Sequence, residues 1–270
     1  MFNQLILILY TERRLYLLKI EQIKKLLEKE KFEQVLDYII DCYIKSEDEG
    51  TRTECVSQLT QIGFKYPNIA PLIINIVKRQ HEEDYESLFN IFCDIIAKRP
   101  ENFVDIAPNL IKELNNQSLY TKIRKTLDLI RIKAPKEFKD VIMDSLKVKD
   151  DPDRWRYILE LGNFGIEFPE VNDILIPYLT NLLNDESEQI RAAATDTLEK
   201  IRTQAPVKPT VDPIPQIKAQ AKDESGIVRD VAKEALNNIE KVAKAEEIVE
   251  GLEEKEKIFK KKSKPSKTPA

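Results

Sequence analysis

The stretch "LLNDESEQIRAAATDTLEKI" at 182–201 returns in diluted form as "QAKDESGIVRDVAKEALNNI" at 220–239. Each copy sets Asp-Glu-Ser ahead of a branched residue and an arginine. A chain that states one segment twice must fold it as a repeated unit, and further copies then define that unit. With Arg191 and Arg229 placed at zero, strides of 33 to 38 residues give the anchors Arg52, Tyr85, Tyr120, Arg154, Arg191 and Arg229. Three residues on stand Cys55, Leu88, Ile123, Tyr157, Ala194 and Ala232. Seven on come Leu59, Phe92, Leu127, Leu161, Leu198 and Leu236. Ten on come Ile62, Ile95, Ile130, Phe164, Ile201 and Ile239. Fifteen on come Pro67, Pro100, Pro135, Pro169 and Pro206, the last copy alone departing with Lys244.

Offsets of three, seven and ten trace one stripe of an α-helix, and the proline stops that helix. A second apolar helical stretch precedes each anchor: "VLDYIIDCYI", "IAPLIINIVKR", "IAPNLIKEL", "FKDVIMDSL", "ILIPYLTNLL" and "PIPQIKAQA". Each unit is therefore a pair of antiparallel helices that cannot bury its own face. The pattern predicts an all-α fold, an α-solenoid of about six stacked antiparallel helical hairpins in which each neighbour completes the next core.

The first helices carry a proline near their start (Pro71, Pro108, Pro177, Pro215), and an aspartate precedes an arginine by six residues in Asp185 with Arg191 and Asp223 with Arg229. On these residues the chain resembles the HEAT-repeat family over roughly 32 to 243, most closely in the last two units. The resemblance implies a HEAT-like superhelix, and an inter-repeat ladder formed by Asp185, Arg191, Asp223 and Arg229. Tyr85 and Tyr120 depart from it, which breaks the ladder in the middle. From the residues alone, the aspartate can cap the incoming helix and the arginine can fork onto an acceptor in the next unit. Tetratricopeptide repeats have a similar period, but their stride is fixed and their Trp-x-x-Leu-Gly signature is not matched by "WRYILELG" from Trp155.

The ends read differently. Residues 1–31 are expected to form an N-terminal helical cap, with 15–29 amphipathic. "MFNQLILILY" lacks the basic flank and cleavage site of a signal peptide and is far short of a membrane span. "TQAPVKPTVDPIPQ" is a proline-rich break at 203–216 within the 32–243 solenoid. Residues 244–270 continue as a helical extension and end in "KKKSKPSKTPA", a basic tail expected to be disordered.

The chemistry excludes more than it offers. Three cysteines, Cys42, Cys55 and Cys93, fall inside helical patterns with no metal-ligand spacing and read as reduced thiols of a cytoplasmic protein. His81 is the only histidine, so no site needing two imidazoles can form. There is no phosphate-cradling glycine loop, nucleophile elbow or Cys/His pair. No catalytic residue, metal site or cofactor is expected.

With 43 basic against 47 acidic residues the net charge is -4, so no general basic field gathers nucleic acid. On the face of the second helix opposite the core, offset five reads Ser57, Asn90, Lys125, Leu159, Asp196 and Glu234, which is not a phosphate track. Offset one places Trp155, the only tryptophan, where other units are mostly polar. Trp155, Leu159, Ile166 and Ile132 are therefore expected to form an apolar partner-binding patch flanked by Arg154, Arg156 and Lys125. The function expected is a non-enzymatic scaffold or adaptor that holds a protein partner. The alternative is a nucleic-acid-binding or DNA-processing HEAT-like protein, of chromosome-organising or glycosylase-like type.

Overall fold

A computed structural model describes residues 23 and 25–262, side chains excepted at 82, 83 and 253–262. Most of the expected N-terminal cap, and residues 263–270 of the basic tail, lie outside the described residues. Every regular element among the described residues is helical. The chain resolves into two compact units, Met1–Val141 and Ile142–Ala270.

In the first unit α1 (Phe32–Lys45) is followed by α2 (Glu49–Lys65), α3 (Ala70–Val77) by α4 (Glu82–Lys98), and α5 (Ala107–Lys112) by α6 (Tyr120–Lys133). Short turns join each couple, α1 packs on α2 and α3, and α4 packs on both α2 and α6. The division between units falls inside α7 (Pro135–Ser145). The second unit continues with α8 (Arg154–Glu167), α9 (Asn172–Leu182), α10 (Glu188–Gln204), α11 (Ile214–Gln220) and α12 (Gly226–Lys262). Here α10 lies against both α8 and α12, while α9 and α11 back the row. Each unit thus buries its apolar stripes by stacking like helices in chain order.

The stripe positions explain the stacking. The six residues at offset three and the six at offset ten are all buried, and at offset seven only Leu236 is half-buried rather than buried. The large aromatics Phe89, Phe92 and Phe103 fill the first core, and Tyr157 and Phe164 the second. At Tyr157 the phenol still reaches a polar acceptor, Asp151 Oδ2 at 3.0 Å.

The prolines act twice. Tyr66, Arg99, Ala134 and Phe168 precede Pro67, Pro100, Pro135 and Pro169, and all four take φ between -121° and -147° with ψ between 61° and 72°. A following proline ring disfavours helical backbone at the residue before it, so each second helix stops there. The proline itself then opens the next helical segment, where its missing N–H costs nothing. Pro177 behaves otherwise. It sits inside α9 rather than near its start, and is exposed.

Between Gln204 and Ile214 no helix forms, as the cluster of Pro206, Pro209 and Pro213 there dictates. Beyond the stack, α12 runs on as one helix of 37 residues, with Ile248, Val249 and Leu252 exposed.

Two glycines in α8 permit the closest approach in the second unit. A Cβ at Gly162 would stand 2.8 Å from Thr197 Cγ2, and one at Gly165 would stand 2.5 Å from Asn172 Oδ1 and 3.0 Å from Ile201 Cδ1. Gly165→Ala is therefore expected to destabilise the chain by about 1–3 kcal/mol, seen as a lower urea midpoint. Gly251→Ala, where a Cβ meets nothing within 4 Å, is the matched control and should not lower it.

Candidate functional site

The repeated Asp-Glu-Ser turn does two jobs with one carboxylate. Asp223 Oδ1 accepts from its own Ser225 N–H at 2.7 Å, which fixes the turn ahead of α12. The same carboxylate takes a two-pronged contact from the previous unit, Arg191 Nε to Oδ2 at 2.8 Å and Nη2 to Oδ1 at 2.9 Å. Arg191 Nη1 turns back to the carbonyls of Asp185 and Glu186, at 2.8 and 3.2 Å. The guanidinium therefore ties its own turn to the next one.

One unit earlier the arrangement recurs. Arg154 Nη2 meets Asp185 Oδ2 at 2.8 Å and Nη1 meets Oδ1 at 3.4 Å, while Ser187 N–H caps Oδ1 at 3.0 Å. At the end of the row, Arg229 Nη1 holds the carbonyls of Asp223 and Glu224, at 2.7 and 2.8 Å. These rungs are nearly dry, the Arg191 and Asp223 side chains being 8% and 9% exposed.

Both carboxylates are held below the usual aspartate range. For Asp185, burial pushes upward, but Arg154, the Ser187 N–H and Lys149 outweigh it. For Asp223 the Arg191 hydrogen bonds dominate over burial, with help from Ser225 and Arg229.

In the first unit the link is not broken at Tyr85, as the departure from arginine suggested. Tyr85 Oη donates to Glu113 Oε2 at 2.6 Å, and Lys78 pairs with the same carboxylate. A phenol replaces a guanidinium, and the acceptor moves from the turn aspartate to a glutamate. Tyr120 is exposed instead, with the Arg124 guanidinium 6.0 Å from its ring centre.

Together α8, α10 and α12 line an open groove of about 530 Å³. Trp155 and Leu159 line it from α8, Asp196, Glu199 and Lys200 from α10, and Glu234 and Asn238 from α12. Trp155 is half-buried, and the Arg156 guanidinium lies 4.3 Å from its ring centre. Lys200 is committed to Asp196 at 2.6 Å.

The other residues of the expected patch are placed differently. Arg154 is not a rim cation. It is 6% exposed because it occupies the ladder position. Arg156 is half-buried and bonded to Asp153 Oδ1 at 2.9 Å. Ile166 is half-buried and does not line the groove. Lys125 and Ile132 are exposed on α6 and belong to the first unit. The groove's own charge is acidic, opposite in sign to the basic flank expected. Glu199 was not singled out, because the eighth offset carries Gly162, Glu199 and Asn237 and so shows no periodicity. Asp196 and Glu234 do share offset five with Leu159, and that acidic drift was the available signal.

Nucleophilic chemistry finds little support in the described residues. Cys93 is buried, and desolvation pushes its thiol up to about 11 against weaker opposing contributions from Thr126 and Lys122. Such a thiol stays protonated and unreactive at neutral pH. Among the described residues no three His, Cys, Asp or Glu side chains are grouped to hold a metal ion, and no helix is long and apolar enough to cross a membrane.

The HEAT-repeat family model matches residues 175–201, the α9–α10 couple that contains Asp185 and Arg191. Over that couple the chain carries a HEAT repeat, and the described residues form stacked helical couples. Among solved structures, it is similar to an engineered protein from a structural genomics consortium at 16% identity and TM-score 0.35, covering 77% of this chain and 97% of that one. It is also similar to a designed armadillo repeat protein in complex with a (KR)4 peptide, at 14% identity and TM-score 0.32, covering 76% and 99%. No curated protein matches the chain.

Removing one partner of a dry ion pair strands the other. Asp223→Ala should therefore cost about 3 kcal/mol, read as a lower urea midpoint, whereas Arg191→Met with Asp223→Leu should recover most of it. The pH response follows from the depressed carboxyls. Their contribution is complete above the ordinary aspartate pKa of about 4 and is lost as pH falls through the lower folded values. Unfolding titrations from pH 5 downward should show this loss, and the double variant should show a shallower one.

Proposed function

We propose that the chain is a non-enzymatic scaffold that holds a protein partner along the groove lined by α8, α10 and α12. The observation that carries this reading is the placement of its only tryptophan. Trp155 is half-buried and lines an open groove, although a ring of that size gains most by full burial. Large aromatics at the edge of a groove are the usual anchors of protein recognition. A stack of helices offers such a surface with its shape already formed, which lowers the cost of ordering on binding.

The groove's charge disfavours the nucleic-acid alternative. Its carboxylates Asp196, Glu199 and Glu234 face one lysine, and that lysine is already paired. A phosphate backbone would meet repulsion there. An adaptor role fits a curved surface of this kind and requires no reacting group.

Trp155→Ala tests the reading. Captured partners from native extract, identified by mass spectrometry, should be lost in the variant while its melting temperature stays within about 2 °C of wild type. A fall of several degrees with capture retained would show that the indole serves the core instead.

A further inference from the structure

Resting on the scaffold reading, we infer that the groove of the second unit takes an extended partner segment with an apolar residue followed by lysines or arginines at every third position. The first support is Glu199. Its side chain belongs to a residue only 7% exposed, yet it lines the groove and no cation is bonded to it. Oε1 accepts a single hydrogen bond, from Thr203 Oγ1 at 3.2 Å. Lys200, the neighbouring cation, is held by Asp196. A carboxylate kept this dry without a counter-charge weakens the fold, and a glutamine could accept the same bond from Thr203 at lower cost. Burial pushes the Glu199 carboxyl up, Asp196 and Glu234 add to that, and Thr203 and Lys200 oppose it. Glu199 lines the open groove, so a cation arriving there would offset this charge.

The second support is spacing. Leu159, Asp196 and Glu234 occupy the same offset on three consecutive stacked helices and all line the groove. Packed helices lie about 8–10 Å apart, and an extended segment in the polyproline II conformation advances about 9 Å in three residues, one full turn. Such a segment crossing the helices therefore presents every third side chain to this row. The first meets Leu159 and Trp155, the second meets Asp196 and Glu199, and the third meets Glu234. Between those contacts Gln189, Gln204 and Asn238 line the groove with amides that can both donate to and accept from a passing backbone. Long basic side chains suit the remaining apolar surface, since their methylene stems pack while the charge reaches the acid.

The probe is a fluorescein-labelled peptide LSGKSGK, compared with LSGESGE and with LKKSGSG, by anisotropy at low ionic strength on the full chain. LSGKSGK should bind at least about tenfold tighter than either, the margin of one well-placed charge contact. Glu199→Gln and Glu234→Gln should each lose several-fold of that binding, and Glu170→Gln, an exposed acid outside the groove, should lose none. The folded Glu199 carboxyl is raised, so its ionised form weakens the fold at neutral pH. Glu199→Gln should therefore melt at least as high as wild type, which separates lost binding from lost structure. Equal binding of the three peptides would overturn the inference, as would a Glu199→Gln loss no larger than that of Glu170→Gln. Should the peptides fail while Trp155→Ala still loses its protein partner, the chemistry inferred for the partner falls and the scaffold reading stands.

Discussion

A helix with one apolar stripe needs a neighbour to cover it, and within each unit of this chain the neighbours are the helices of its own couple and of the adjoining couple. That constraint decides the rest. It places Ile123, Leu127 and Ile130 inside the first unit and Ala194, Leu198 and Ile201 inside the second. It also leaves the opposite face of every second helix without structural duty. That face is free to carry Trp155, Leu159, Asp196 and Glu234, whose identities the core does not dictate.

Apolar stacking alone is nearly indifferent to small rotations of one couple on the next. The Arg154–Asp185 and Arg191–Asp223 contacts remove that freedom in the second unit, because a two-pronged guanidinium contact fixes direction as well as distance. Each aspartate is itself held by the serine N–H of its turn, so the rung begins from a rigid point. The groove owes its shape to this. Asp196 and Glu234 keep a common row only while α10 and α12 keep their relative rotation.

The stacking was readable in the residues because periodicity reports burial directly, and offsets three, seven and ten are positions that neighbours cover. The proline stops were readable for a similar reason, since backbone before proline is restricted by local sterics alone. Pairings between units were harder. The arginine partner of Asp185 lies 31 residues upstream and that of Asp223 lies 32 upstream, while the visible spacing of six belongs to the turn that each arginine closes. For the same reason Arg154 looked like a surface cation beside Trp155, and Tyr85 looked like a gap in the ladder. The acidic groove was least visible, because Glu199 stands at an offset where the neighbouring copies carry Gly162 and Asn237.

Hydrogen exchange on the full chain, wild type beside Asp223→Ala, tests most directly whether each couple is held by its neighbours. A row of nearest-neighbour contacts predicts the largest loss of protection in α11 and the first turns of α12, a smaller loss in α10, and little change in α8. A uniform rise in exchange across α8 to α12 would contradict it, since that result belongs to helices gathered round one shared core.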